Sequence, residues 1–166
     1  MRKLNSKLLY VFCALLFFSA FTSGKKDIIT IFMIGDSTMA NKSLKNGNIE
    51  RGWGQMLPEF LIGDVRVDNH AMNGRSSQSF IDEGRWDVVL SKLKSGDYVF
   101  IQFGHNDEKS AEELHTIPGS TFDENLRRFV RETRAKGALI QLCAGIFHRK
   151  GPLGIKAVMR RREAHW

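Results

Sequence analysis

Ser37 is the residue best placed to do covalent chemistry. It lies in Ile34-Gly35-Asp36-Ser37-Thr38-Met39-Ala40, directly after the apolar run Ile28-Ile29-Thr30-Ile31-Phe32-Met33. A β-branched run that stops at Gly-Asp-Ser reads as a buried parallel strand handing its chain to a turn. That turn falls at the sheet's carboxyl edge, where open α/β sheets hold their ligands. A hydroxyl exposed there beside backbone N–H groups suits a nucleophile. The same Asp36-Ser37 pair also suits an N-cap for a following helix.

Two later segments decide between these. Asn69-His70-Ala71-Met72-Asn73-Gly74-Arg75-Ser76-Ser77 follows a second short strand signal, and Phe103-Gly104-His105-Asn106-Asp107 follows a third. Together with Gly35-Asp36-Ser37, in this order, they resemble the first three sequence blocks of the SGNH (GDSL-type) hydrolases. The fuller wording resembles the rhamnogalacturonan acetylesterase branch: Gly35 to Ala40, Gly52-Trp53-Gly54, Gly74 to Ser77, and Gly96-Asp97-Tyr98-Val99 running into Phe103 to Asp107. The resemblance spans residues 28 to 143, and three ordered motifs are far more specific than one.

The resemblance implies that Ser37 is the nucleophile. The N–H groups of Ser37 and Gly74 and the side-chain amide of Asn106 are then the oxyanion donors. Those residue types suit the role. Glycine keeps side chains away from its N–H, and an amide donates without titrating. Alone, Gly74 reads as a turn glycine and Asn106 as a loop asparagine bonding its own backbone. Arg75 and Trp53 are candidates to flank a sugar, with a surface salt bridge and a core position as their alternatives. No metal or cofactor is implied.

The general base is the gap. The family draws it from a late Asp-x-x-His block, and residues 144–166 contain no Asp at all. Glu163-Ala164-His165 is the nearest imitation, with the wrong spacing. His105 reads as a partly buried histidine bonded to nearby backbone, and His70, His115 and His148 as surface or loop residues. The sequence resemblance ends near Cys143, so the expectation is a truncated or frame-shifted reading of a longer gene, with an evolved short form as runner-up.

A chain of 166 residues with a formal charge of +7 fits one domain. The positive charge belongs to the ends. Residues 1–26 and 148–166 are both strongly basic, whereas the body between them carries more acids than bases. With no basic stripe interleaved with aromatics, nucleic-acid binding is not expected. Residues 1–24 read as a secretory signal: a positive start, an apolar run from Leu8 to Phe21 and small residues at Thr22-Ser23-Gly24. The run is shorter than the ~20 residues a membrane span needs. Cys13 lies inside it without a lipid-attachment context. Cys143 is the only cysteine after the signal, and a buried inert thiol is expected. The chain therefore divides into a signal peptide (1–24), a partial hydrolase domain (25–147) and an atypical basic tail (148–166).

Strand and helix signals alternate, which predicts a three-layer α/β/α, doubly wound flavodoxin-like parallel sheet with an incomplete C-terminal part. Strands are expected at 28–34, 65–69, 98–103 and 138–142. Helices are expected at 52–61, with Trp53, Met56, Leu57 and Phe60 on one face and Pro58 as a kink or break, and at 78–93, weakened by Gly84. A third begins at a Thr121/Glu124 capping box and ends at Gly137. Its inner stripe is Phe122, Leu126, Phe129, Val130 and Thr133. The functional expectation is a secreted or periplasmic serine esterase acting on acetylated pectic polysaccharide, impaired by the missing base. The alternatives are an inactive carbohydrate-binding pseudoenzyme and a non-functional fragment.

Overall fold

The computed structural model describes residues 28–143. The expected signal segment and the residues from 144 onward, with the basic tail, His148 and the Glu163/His165 pair, all lie outside them. Four parallel strands form one sheet in the order β2-β1-β3-β4: β1 is Ile29–Gly35, β2 Val65–Asn69, β3 Tyr98–Gln102 and β4 Leu139–Leu142. The order is flavodoxin-like. β1 is central, with β2 on one side and β3 on the other, so the chain reverses its direction of travel across the sheet beside β1.

The helices are α1 (Trp53–Met56), α2 (Ser77–Asp82), α3 (Arg85–Lys92) and α4 (Thr121–Ala135). The strands' two-residue period sorts the core into two layers. Phe32, Ile34, Val99 and Ile101 point toward α2, α3 and α4 and pack with Phe80, Trp86, Val89, Phe122 and Phe129. Trp86 meets Phe129 edge-on at 5.0 Å, and Phe103 stacks on Phe129 at 5.7 Å. Phe80, Trp86 and Phe129 are wholly buried, each contributing roughly 4–6 kcal/mol of gross burial. Ile31 and Met33 point the other way, with Met39, Ala40, Ala71, Trp53 and Leu57.

Several expectations change. The helix expected over 52–61 breaks at Pro58: α1 stops at Met56 and a 3-10 turn, Leu57–Phe60, follows. Its expected inner face opens with it, leaving Met56 39% and Phe60 77% exposed. The helix expected over 78–93 is two helices, because Gly84 stands at φ 68°, outside the helical region. α4 has no Thr121/Glu124 capping box. Its N-cap is Ser120, without a side-chain bond, because the Thr121 hydroxyl accepts the Ile117 N–H at 2.8 Å. A capping box does form at α2, between Ser76 and Ser79. β3 is fully buried on one face only: Val99 and Ile101 are buried, whereas Tyr98 and Phe100 are half-buried. α4's inner stripe and the Gly137 turn, at φ 71°, stand as expected.

Candidate active site

β1 ends at Gly35, and the turn that follows is locked by its neighbours rather than by Ser37. The Asp36 carboxylate accepts the Thr38 N–H at 2.9 Å and the Thr38 hydroxyl at 2.8 Å. Gln102, at the end of β3, donates to the Thr38 hydroxyl at 2.6 Å and accepts the Trp53 indole N–H. Asn69, at the end of β2, donates to the Met39 carbonyl at 3.0 Å. Gly52 and Gly54 close the turn from above. A Cβ on Gly54 would stand 2.6 Å from the Met39 carbonyl oxygen, and one on Gly52 would overlap the Ala40 carbonyl. Only glycine permits that approach.

The loops after β2 and β3 are stitched to this turn and to each other. The Met72 N–H donates to the Gly35 carbonyl at 3.0 Å. The Asn106 amide donates to the Arg75 carbonyl at 3.0 Å. Beneath them Asp107, 1% exposed, accepts the Ser77 N–H at 3.0 Å, the Ser77 hydroxyl and the Thr116 hydroxyl at 3.0 Å. Burial pushes the Asp107 carboxyl up from its ordinary value, while the bonds from Ser77, Thr116 and the Gly104 N–H pull the other way.

Ser37 is treated differently. It is half-buried, and its hydroxyl makes no hydrogen bond among the described residues. The backbone N–H groups of Ser37 and Gly74 donate to no described residue either. Gly74 stands at φ 75°, with nothing within 4 Å of where a Cβ would be. Asn106 spends one amide hydrogen on Arg75 and keeps the other. Ser37 and Gly74 thus offer backbone donors and Asn106 an amide hydrogen, all on a hydrogen-bonded scaffold, and these are the donor types that oxyanion stabilisation uses.

The family model for the GDSL-like lipase/acylhydrolase family matches residues 33–165, so the similarity extends past Cys143, where the motifs alone placed its end. The chain belongs to that family. It is 36% identical over 137 residues to the rhamnogalacturonan acetylesterase RhgT of Bacillus subtilis, covering 82% of this chain and 52% of that one. To YesY, a probable rhamnogalacturonan acetylesterase of the same organism, it is 37% identical over 65% of this chain and 49% of that one. It thus spans about half the length of these relatives. Among solved structures, Bacillus subtilis YxiM superposes with a TM-score of 0.61 at 32% identity, over 70% of this chain and 32% of that one. TesA superposes with a TM-score of 0.51 at 25% identity, over 68% of this chain and 58% of that one.

The remaining candidates sort by their contacts. Arg75 Nε donates to both Glu83 carboxylate oxygens, at 2.9 and 3.1 Å, the salt-bridge alternative. Trp53 is half-buried against the β1 face, the core alternative. His105 is exposed, contrary to the partly buried reading, because the turn after Gly104 sends Asn106 and Asp107 inward instead. His70 is no loose surface residue: its ring lies 3.2 Å from Asp68 and 3.4 Å from the Lys92 ammonium. His115 is exposed, with Nδ1 3.0 Å from the Lys109 carbonyl oxygen. Cys143 is half-buried, and burial raises its thiol pKa, partly offset by a backbone bond to Ile101. No described histidine bonds to Ser37. A cavity of about 560 Å³ beside α2, lined by Gln78, Asp82, Glu112, Glu113, His115 and Thr121, contains none of Ser37, Gly74 or Asn106.

The sequence places Ser77 and Asp107 inside the motif blocks without showing their supporting role, and it does not single out Gln102. Their local signal is weak: a polar residue closing an apolar strand, and a serine and an aspartate that meet only across 30 positions.

Proposed function

We propose that this chain is a secreted carbohydrate acetylesterase acting on acetylated rhamnogalacturonan. The observation that carries the reading is the trio of unspent groups at the edge of β1: the Ser37 hydroxyl and the N–H groups of Ser37 and Gly74. The names of the relatives support the substrate, and the basic, then apolar, start of the chain supports export.

In the reaction, the Ser37 oxygen attacks the acetyl carbonyl carbon. The carbonyl oxygen gains negative charge and meets the Ser37 and Gly74 N–H groups and the free amide hydrogen of Asn106. Collapse breaks the bond to the sugar oxygen, which leaves with a proton, and the acetyl group stays on Ser37. Water then releases acetate and restores the serine. The serine proton needs an acceptor, and no described residue is bonded to that hydroxyl. An unassisted serine is a weak nucleophile at neutral pH, and the late Asp-x-x-His pattern is missing from these 166 residues, so we propose that they turn over slowly.

Acetate release from acetylated rhamnogalacturonan and from an aryl acetate, beside a Ser37→Ala control, tests the reading. Trace Ser37-dependent release is expected. Robust Ser37-dependent turnover would mean that another residue serves as base, and His165→Ala and His105→Ala identify which. The second reading is a sugar-binding module without turnover; complete absence of Ser37-dependent release selects it.

A further inference from the structure

We propose that segment 41–51, between the nucleophile turn and α1, is a cationic arm that binds the carboxylates of a polyuronide backbone. It rests on the reading of the site as acting on acetylated rhamnogalacturonan and names the galacturonate carboxylates as the part of the polymer that the arm holds. The segment carries Lys42, Lys45 and Arg51 against the single acid Glu50, in a body that is otherwise net acidic.

Its three cations are used differently. Lys42 is the anchor. Its side chain is 7% exposed, and its ammonium reaches Asn73 Oδ1 at 2.9 Å and Glu50 at 3.0 Å. Its backbone exchanges two bonds with the Gln55 side chain, at 2.9 and 3.3 Å. Asn41 is bonded to Asn69 at 2.9 Å. These contacts hold the arm at the carboxyl edge, one residue from Gly74. Arg51 is exposed and faces no carboxylate among the described residues. Its guanidinium is pinned at one nitrogen by the Asn48 carbonyl at 3.0 Å and the Glu50 carbonyl at 2.8 Å. Carbonyls orient the fork without neutralising it, so its outer N–H groups and its charge remain for a ligand. Lys45 is exposed in the 3-10 turn Lys45–Gly47, where Asn46 stands at φ 58° and turns the chain.

The ligand chemistry follows. Two exposed cations on a short arm match carboxylates repeated along a polymer. Leu44 and Ile49, 55% and 90% exposed, offer apolar surface to the C–H faces of sugar rings between them. A neutral polysaccharide would leave the Arg51 charge unused.

The test is binding, which needs no turnover. Polygalacturonate is titrated into the full chain at low salt, with neutral galactan and polyglutamate as comparison polymers. The wild-type chain should prefer polygalacturonate, and the preference should weaken with added salt. The double substitution K45Q R51Q should weaken polygalacturonate binding about fivefold to tenfold, from two exposed charge contacts. The charge-keeping K45R R51K should restore it, which separates lost charge from a disturbed loop. Unchanged binding in K45Q R51Q, or equal affinity for polyglutamate, overturns the arm. The two readings fail separately. If acetate release is absent while K45Q R51Q still loses polygalacturonate binding, the esterase reading falls and the arm stands.

Discussion

Two serines forty positions apart show how the site is built. Ser77 is buried; its N–H and hydroxyl are both committed to Asp107, and its oxygen also accepts from Asn125 at 3.1 Å. Ser37 is half-exposed, and its hydroxyl is bonded to no described residue. The difference teaches a division of labour. Hydrogen bonds are saturated beneath the edge of the sheet so that groups at the edge can stay unspent yet held in place. Stability is expected to belong to the Ser77–Asp107 layer, and the proposed chemistry to the Ser37–Gly74–Asn106 layer.

Substitutions in each layer should therefore move different observables. The largest effect is expected at Ser37. Ser37→Ala should abolish whatever acetate release the chain shows while leaving its melting temperature unchanged; a fall in Tm of several degrees would erase the distinction between the layers. Asp107→Ala should do the reverse. It strands the Ser77 and Thr116 donors in the interior, at a cost of about 3–5 kcal/mol, read by urea unfolding. An unfolding midpoint like that of the wild type would mean that the buried layer adds nothing to stability. Asn106→Ala straddles the two layers. Losing an oxyanion donor should lower residual turnover about 10²-fold or more, with a smaller change in the Michaelis constant. A change in the Michaelis constant alone would move Asn106 out of the oxyanion role.

The smallest effect is expected away from both layers, at Asp68. Burial works to raise its carboxyl, but the bonds and charges of His70 and Lys92 outweigh it and hold the pKa below the ordinary 3.8. A lowered carboxylate pKa stabilises the fold above the unfolded-state value, and that share is lost as pH falls through the folded-state value. Asp68→Asn should therefore narrow the gap in Tm between neutral pH and about pH 3. An unchanged gap would show that the pair is too solvated to matter.

What is legible in the sequence is what local pattern encodes. Val65–Asn69 is a strand with the expected limits because its apolar residues alternate and turn chemistry precedes it. The alternation of strands and helices yields the parallel sheet, and the three ordered motifs follow β1, β2 and β3 in turn. What is not legible depends on partners distant in sequence or on competition for a single atom. Thr121 has the right type for an N-cap, but the Ile117 N–H claims its hydroxyl. Ser79 completes a capping box in a place where Glu or Gln would be sought. Asp107 looks like a loop residue until Ser77 and Thr116 close around it.

The placement of the tryptophans has an optical consequence. Trp86 is wholly enclosed, its indole N–H on Glu132 at 2.6 Å and its ring against Phe129. Trp53 is half-buried, its indole N–H on Gln102, the same side chain that locks the Thr38 hydroxyl. With Trp166, outside the described residues, replaced by Phe, two emitters remain in unlike surroundings. Trp86 reports whether the core is closed, through a blue-shifted band that reddens on unfolding. Trp53 reports the turn that carries Ser37. Changes in its emission without changes in that of Trp86 measure motion of the Ser37 turn within an intact fold.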